Sequence, residues 1–129
     1  MVSISLCMIV RNEEKVLGRC LACVQGFADE IIIVDTGSTD RTKEIAFSFT
    51  DKVYDFKWKD DFAAARNFAF SKGTGDYLFW LDADDVLLSS DRQKLLALKA
   101  ELDGTADVVM LPYHTGFDEQ GRPTFFCYR

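Results

Sequence analysis

Short apolar runs alternate along this chain with segments whose apolar residues recur at helical spacing. That alternation constrains the fold more than any other feature. Ile4-Ser5-Leu6-Cys7-Met8-Ile9-Val10 is nearly continuous in apolar residues, as expected of a strand covered on both faces. Val16, Leu17, Cys20, Leu21 and Val24 then repeat with a helical period, and Gly26 offers a stop. Ile31-Ile32-Ile33-Val34 is a second, wholly β-branched run. A helix is expected from about Arg41 to Phe49, and a weaker strand over Lys52 to Phe56. Asp61 can cap a helix that runs to Lys72 and stops at Gly73. Tyr77-Leu78-Phe79-Trp80-Leu81 reads as a fourth buried strand. Ser90 and Gln93 have capping-box spacing for a helix ending near Gly104. Val108 to Pro112 and Thr124 to Tyr128 read as strands flanking the turn at Asp118 to Gly121, a hairpin. Strands and helices alternating in this way predict one α/β unit over residues 1–129, a mostly parallel sheet flanked by helices with a C-terminal hairpin.

The three strongest strand runs each end in a polar cluster with a carboxylate: Arg11-Asn12-Glu13, Asp35 to Asp40, and Asp82-Ala83-Asp84-Asp85. Parallel strands bring all three to one edge of the sheet, the edge where open α/β sheets bind ligands. Asp82, Asp84 and Asp85 repel one another, so packing them at a strand end is costly unless a cation sits there. Hard oxygen donors of this kind suit Mg2+ or Mn2+, with the shell completed by water and substrate phosphates. The same aspartates could instead cap the next helix and be solvated. Asp35 is placed to accept hydrogen bonds from a base or ribose. Gly37, Ser38 and Thr39 form either an anion-binding turn or an ordinary capped one.

The net charge of -6 argues against a nucleic-acid polymer as partner, because that needs a basic stripe. A phosphate-bearing ligand would have to be held by backbone amides, a few placed cations or a recruited metal. Neither a GxxxxGK[ST] nor a GxGxxG pattern is present, which disfavours P-loop and dinucleotide chemistry. No apolar run approaches the ~18 residues of a membrane span, and nothing reads as a signal peptide. The four cysteines, including Cys20-x-x-Cys23, are expected to be reduced and mostly buried in a cytoplasmic protein. One CxxC without further ligands is a weak zinc signal. Arg66 and Asn67 could face solvent or reach a ligand, and spacing alone favours solvent. His114, the single histidine, follows a strand and carries little support for nucleophilic catalysis.

Four segments in order resemble family 2 glycosyltransferases of the GT-A (nucleotide-diphospho-sugar transferase) fold, a Rossmann-like sheet. They are residues 4–14, 33–40, 61–67 and 80–85, and they look most like the bacterial branch that often carries tetratricopeptide repeats. The resemblance implies transfer of a sugar from a nucleotide-diphospho-sugar, a UDP-sugar favoured, with inversion and with Mn2+ or Mg2+ on the diphosphate. By position, Val10, Asn12 and Glu13 would lie along the nucleotide, Asp35 on the base or ribose, and Arg66 on the nucleotide. Asp82 would lie near the ribose and donor sugar, Asp84 would be the main metal ligand, and Asp85 would support the site from behind. The family's downstream carboxylate base has no evident counterpart, since Glu101 and Asp103 fall at a helix end and Asp118 and Glu119 in a turn. The expectation is a donor-binding portion of a longer enzyme, or alternatively a nucleotide- and metal-binding module without turnover of its own. A sugar nucleotidyltransferase would need a Gly-rich basic loop where this chain has Arg11-Asn12-Glu13-Glu14.

Overall fold

The computed structural model describes the backbone of residues 1–128 and the side chains of residues 1–122. Four parallel strands, β1 (Ile4–Val10), β2 (Glu30–Asp35), β3 (Val53–Asp55) and β4 (Tyr77–Phe79), form one sheet in the order β3-β2-β1-β4. Helices α1 (Leu17–Cys23), α2 (Thr42–Phe47), α3 (Phe62–Ser71) and α4 (Ser89–Glu101) follow β1, β2, β3 and β4 in turn. An antiparallel pair, β5 (Pro112–Phe117) and β6 (Pro123–Tyr128), forms a separate two-stranded sheet. No helix among the described residues is long and apolar enough to cross a membrane.

The pleat of β1 sorts its side chains onto two cores. Leu6, Met8 and Val10 meet Leu17, Cys20, Leu21 and Val24 of the α1 segment, whose i, i+3, i+4, i+7 spacing builds one buried stripe. Cys7 and Ile9 point the other way, with Ile32 and Val34, onto Ala69, Phe68 and Phe70 of α3. The sheet is thus covered on both faces. Asp61 caps α3 as its spacing predicts, accepting from the Ala64 N–H at 3.1 Å.

Three expectations from the sequence need correction. The fourth strand ends at Phe79 and is only half-buried, with Leu78 41% exposed, because β4 pairs with β1 alone among the described residues. Ser90 does not cap α4. The helix starts at Ser89, and extended Leu88 (φ -70, ψ 155) occupies the cap position without a side-chain bond. Two cations dock α4 instead: buried Lys99 donates to Asp29 at 2.7 Å and to the Phe27 carbonyl at 2.9 Å, and Arg92 reaches the Gln25 carbonyl. The first hairpin strand is Pro112–Phe117, not Val108–Pro112, since Val108 and Met110 lie exposed with no strand beside them among the described residues. His114 consequently lies within β5. The hairpin turn is as expected: Asp118 accepts from the Gln120 and Arg122 N–H groups at 3.0 and 2.8 Å, and Gly121 takes φ +79.

Candidate functional site

The strand order reverses direction at β1, with β2 and β3 on one side and β4 on the other. The loops after β1, β2 and β4 therefore meet at the carboxyl edge, the edge where open α/β sheets bind ligands. Parallel register sets Val10, Asp35 and Asp55 side by side at that edge. Leu6 pairs with Phe79, so the chain leaving β4 through Trp80 and Leu81 delivers Asp82 to the same edge.

Asp35 ends β2 and is 2% exposed. Its Oδ1 accepts from the Gly37 and Ser38 N–H groups at 2.9 and 2.8 Å, which folds the Asp35–Ser38 turn back on itself. Its Oδ2 is buried and has no hydrogen-bond partner among the described residues. A buried carboxylate oxygen left without a donor costs on the order of 1–3 kcal/mol, so a ligand N–H or O–H placed there would recover that cost.

The loop after β1 is tied to the loop after β2. Asn12, at φ +52, accepts from the Thr39 N–H through its Oδ1 at 2.8 Å, and its own N–H donates to Ser38 Oγ at 2.9 Å. The Glu13 N–H donates to buried Thr42 Oγ1 at 2.8 Å, and its carbonyl starts α1 by accepting from Leu17 at 2.9 Å. The Val10 carbonyl accepts from the Thr36 N–H at 3.1 Å. The two loops therefore form one rigid rim, a coupling the sequence pattern did not reveal. Of the four segments that carry the family resemblance, the first two are bound together by these bonds.

The Asp82–Asp85 turn is closed by its own ends: the Asp85 N–H reaches the Asp82 carbonyl at 2.9 Å, and the Asp82 N–H reaches Asp85 Oδ2 at 2.8 Å. One oxygen from each of Asp82, Asp84 and Asp85 lies within 4.8 Å of the others. Asp84 is exposed, whereas Asp85 is 9% exposed and also accepts from the Tyr113 hydroxyl. Helix α1 braces the turn from below. Arg19 donates to the Asp84 carbonyl at 3.3 Å, Cys20 Sγ lies 3.6 Å from the Asp82 carbonyl, and the Leu87 N–H points at Cys23 Sγ at 3.3 Å. Tyr113 and Arg19 are site residues that sequence reasoning missed. Nothing in local spacing links them to a turn 28 and 65 residues away.

Arg66 is half-buried on α3, its guanidinium 5.2 to 5.9 Å from the ring centres of Phe62, Trp80 and Phe70. Trp80 stands two residues before Asp82, so Arg66 packs against the root of the acidic turn.

Cys7, Cys20 and Cys23 are free thiols; the side chain of Cys127 lies outside the described residues. Burial, reinforced by the Glu30 charge, pushes Cys7 up to about 11. Hydrogen bonding to Cys23, then burial, holds Cys20 well above the usual thiol range. The reciprocal bond from Cys20, opposed by burial but aided by the Leu87 N–H, brings Cys23 down to about 6.

A family model described as glycosyl transferase family 2 matches residues 5–125. The chain belongs to this family. A TPR repeat-containing protein of Synechococcus elongatus is 51% identical over 88 residues, covering 68% of this chain and 22% of that protein. The crystal structure of S. aureus TarS 1-349 in complex with UDP superposes with a TM-score of 0.64 at 20% identity, covering 95% of this chain and 38% of that one. Glucosyl-3-phosphoglycerate synthase from Mycobacterium tuberculosis, in complex with Mn2+ and UDP-glucose, gives a TM-score of 0.54 at 24% identity, covering 66% and 34%. The fold of this glycosyltransferase chain is therefore GT-A. It spans well under half the length of each of these three proteins.

Proposed function

We propose that this chain binds the nucleoside-diphosphate end of a sugar donor, a UDP-sugar favoured, along the carboxyl edge of its sheet, as the donor-binding portion of an inverting, metal-assisted glycosyltransferase. The observation that carries the reading is the buried, unpartnered Oδ2 of Asp35, an acceptor in wait for a base N–H or ribose hydroxyl. The bound UDP of TarS and the bound Mn2+ and UDP-glucose of the mycobacterial synthase, two proteins of the same fold, support it.

In this reading Val10, Asn12 and Glu13 line the nucleotide, and Arg66, steadied by its aromatic neighbours, lies beside it. Asp82 lies near the ribose and donor sugar, and Asp84, the exposed member of the cluster, is the main ligand of Mn2+ or Mg2+. The donor set fits a hard cation: one oxygen from each of three carboxylates converges within 4.8 Å of the others. When bound, the ion neutralises charge developing on the leaving diphosphate. Asp85 supports the turn from behind.

The second reading, a binding module without turnover of its own, draws on the downstream carboxylates. Asp103 is held by Thr105, and Asp118 by Arg122, each serving its own turn. In this reading neither of them is the base that activates the acceptor. A cytoplasmic setting suits the free thiols.

A calorimetric panel of UDP, GDP, TDP and CDP, each with and without Mn2+, tests the proposal. Tightest binding is expected for UDP with metal; absence of binding by any of the four would sink it. Assay of sugar transfer by this chain alone separates the two readings, and robust turnover would place the base within these residues.

A further inference from the structure

The turn that offers Asp82 and Asp84 is held, through Asp85, by Tyr113, a residue outside all four motif segments. Asp85 engages both carboxylate oxygens: Oδ2 accepts from the Asp82 backbone N–H at 2.8 Å, and Oδ1 accepts from the Tyr113 hydroxyl of β5. Three carboxylates whose oxygens converge within 4.8 Å repel one another before any cation arrives. A hydroxyl donor on Asp85 draws one of them inward and partly offsets its charge. With Asp85 so fixed, its bond to the Asp82 N–H sets where the turn begins and hence where Asp82 and Asp84 present their oxygens.

We infer that Tyr113 is a positioning residue for the metal-binding turn, acting through Asp85 on Asp82 and Asp84. The inference rests on the donor-binding reading above and deepens it. It also gives the β5–β6 hairpin a role at the nucleotide site, which the sheet topology alone does not suggest. Groups that hydrogen-bond a metal's ligands orient metal sites in general, and their loss lowers metal affinity.

The test is calorimetry of UDP with Mn2+ and of UDP with chelator, on wild type, Tyr113→Phe, Asp85→Asn and the double variant, with unliganded melting as control. Tyr113→Phe keeps the ring and removes the hydroxyl. The expected result is a fivefold to tenfold loss of UDP affinity in the presence of Mn2+. Metal-free UDP affinity should stay within twofold and melting within about 3 °C. Asp85→Asn should show the same metal-selective loss, and the double variant should lose no more than Asp85→Asn, because both act on one link. Equal losses with and without metal, or no loss, would overturn the inference and leave the metal site standing. If Tyr113→Phe does not fold, Asp85→Asn alone decides by the same split. Wild type binding UDP equally with and without Mn2+ would overturn the metal reading itself, and this inference with it.

Discussion

Val10 and Asp35 are register partners at the ends of β1 and β2, and Asp35 turns one oxygen to the Gly37 and Ser38 amides while the other stays buried and unpartnered. The two oxygens therefore have separable duties, one for the fold and one for a ligand. In Asp35→Asn the amide oxygen can keep the turn, while an NH2 group replaces the orphan acceptor. Folding should be nearly unaffected and UDP affinity should fall at least tenfold. Asp35→Ala loses both duties, and its melting temperature should drop by an amount corresponding to about 1–2 kcal/mol. Paired melting and calorimetry on the two variants check this, and an Asn variant that binds UDP as wild type does would remove Asp35 from the nucleotide site.

The alternation of apolar runs was enough to place β1 and β2, whose burial leaves nearly continuous apolar runs, and to find the half-buried β3 and β4 and the crossover helices from their order, though not the end of β4. It was also enough to bring Asn12, Asp35 and Asp82 to one edge, since parallel strands share their carboxyl ends. What it missed depends on partners distant in sequence. Lys99 docks α4 through Asp29, 70 positions earlier in the sequence, so a capping-box reading at Ser90 had no access to it. Tyr113 reaches Asp85 only because β5 starts at Pro112, and Val108 to Leu111, apolar enough to resemble a strand, find no strand to pair with. Helical spacing places Phe62 and Phe70 four residues either side of Arg66 on α3, but Trp80, which completes the aromatic setting, comes from beyond β4 and is brought there only by the fold.

Glu30 gathers Ser5 at 2.7 Å, the Thr74 N–H at 2.8 Å and the Lys52 ammonium around one carboxylate at the amino edge of the sheet. Burial raises its pKa, but the bonds from Lys52, Ser5 and Thr74 together outweigh that and bring it down to about 2 from an ordinary 4.5. A depressed carboxylate stabilises the fold fully above its unfolded value, and that contribution disappears as pH falls from about 4.5 toward 2. The amount is on the order of 2–3 kcal/mol. Urea midpoints at pH 7, 4 and 2.5 should fall steeply for wild type. They should fall less for Glu30→Gln, which begins less stable at pH 7. Parallel curves would show that Glu30 is not the group responsible.

Cys23, with its pKa brought down to about 6, should be largely thiolate at pH 7, whereas Cys7 and Cys20 should stay protonated. The thiolate is the nucleophile, so iodoacetamide labelling of Cys23 should level off above pH 7 and decline below pH 6. Peptide mapping should show little label on Cys7 or Cys20 in the native protein. Cys23→Ser should remove the fast label. Labelling of Cys23 that rises steadily up to pH 9 would contradict the bonding that links it to Cys20 and Leu87.

Asp84 is the exposed member of the acidic turn, and its carbonyl, not its carboxylate, takes the bond from Arg19. Removing the carboxylate should therefore leave the turn intact and take away the metal's anchor. Wild type with UDP and Mn2+, each near 100-fold above its dissociation constant, should gain about 2.7 kcal/mol and melt several degrees higher. UDP with chelator should raise melting much less. Asp84→Ala should melt like wild type without ligand, respond to UDP with chelator as wild type does, and lose the increment that Mn2+ adds. Retention of that increment would move the metal to Asp82 or Asp85, and a collapse of unliganded stability would show that the Asp84 carboxylate serves the fold.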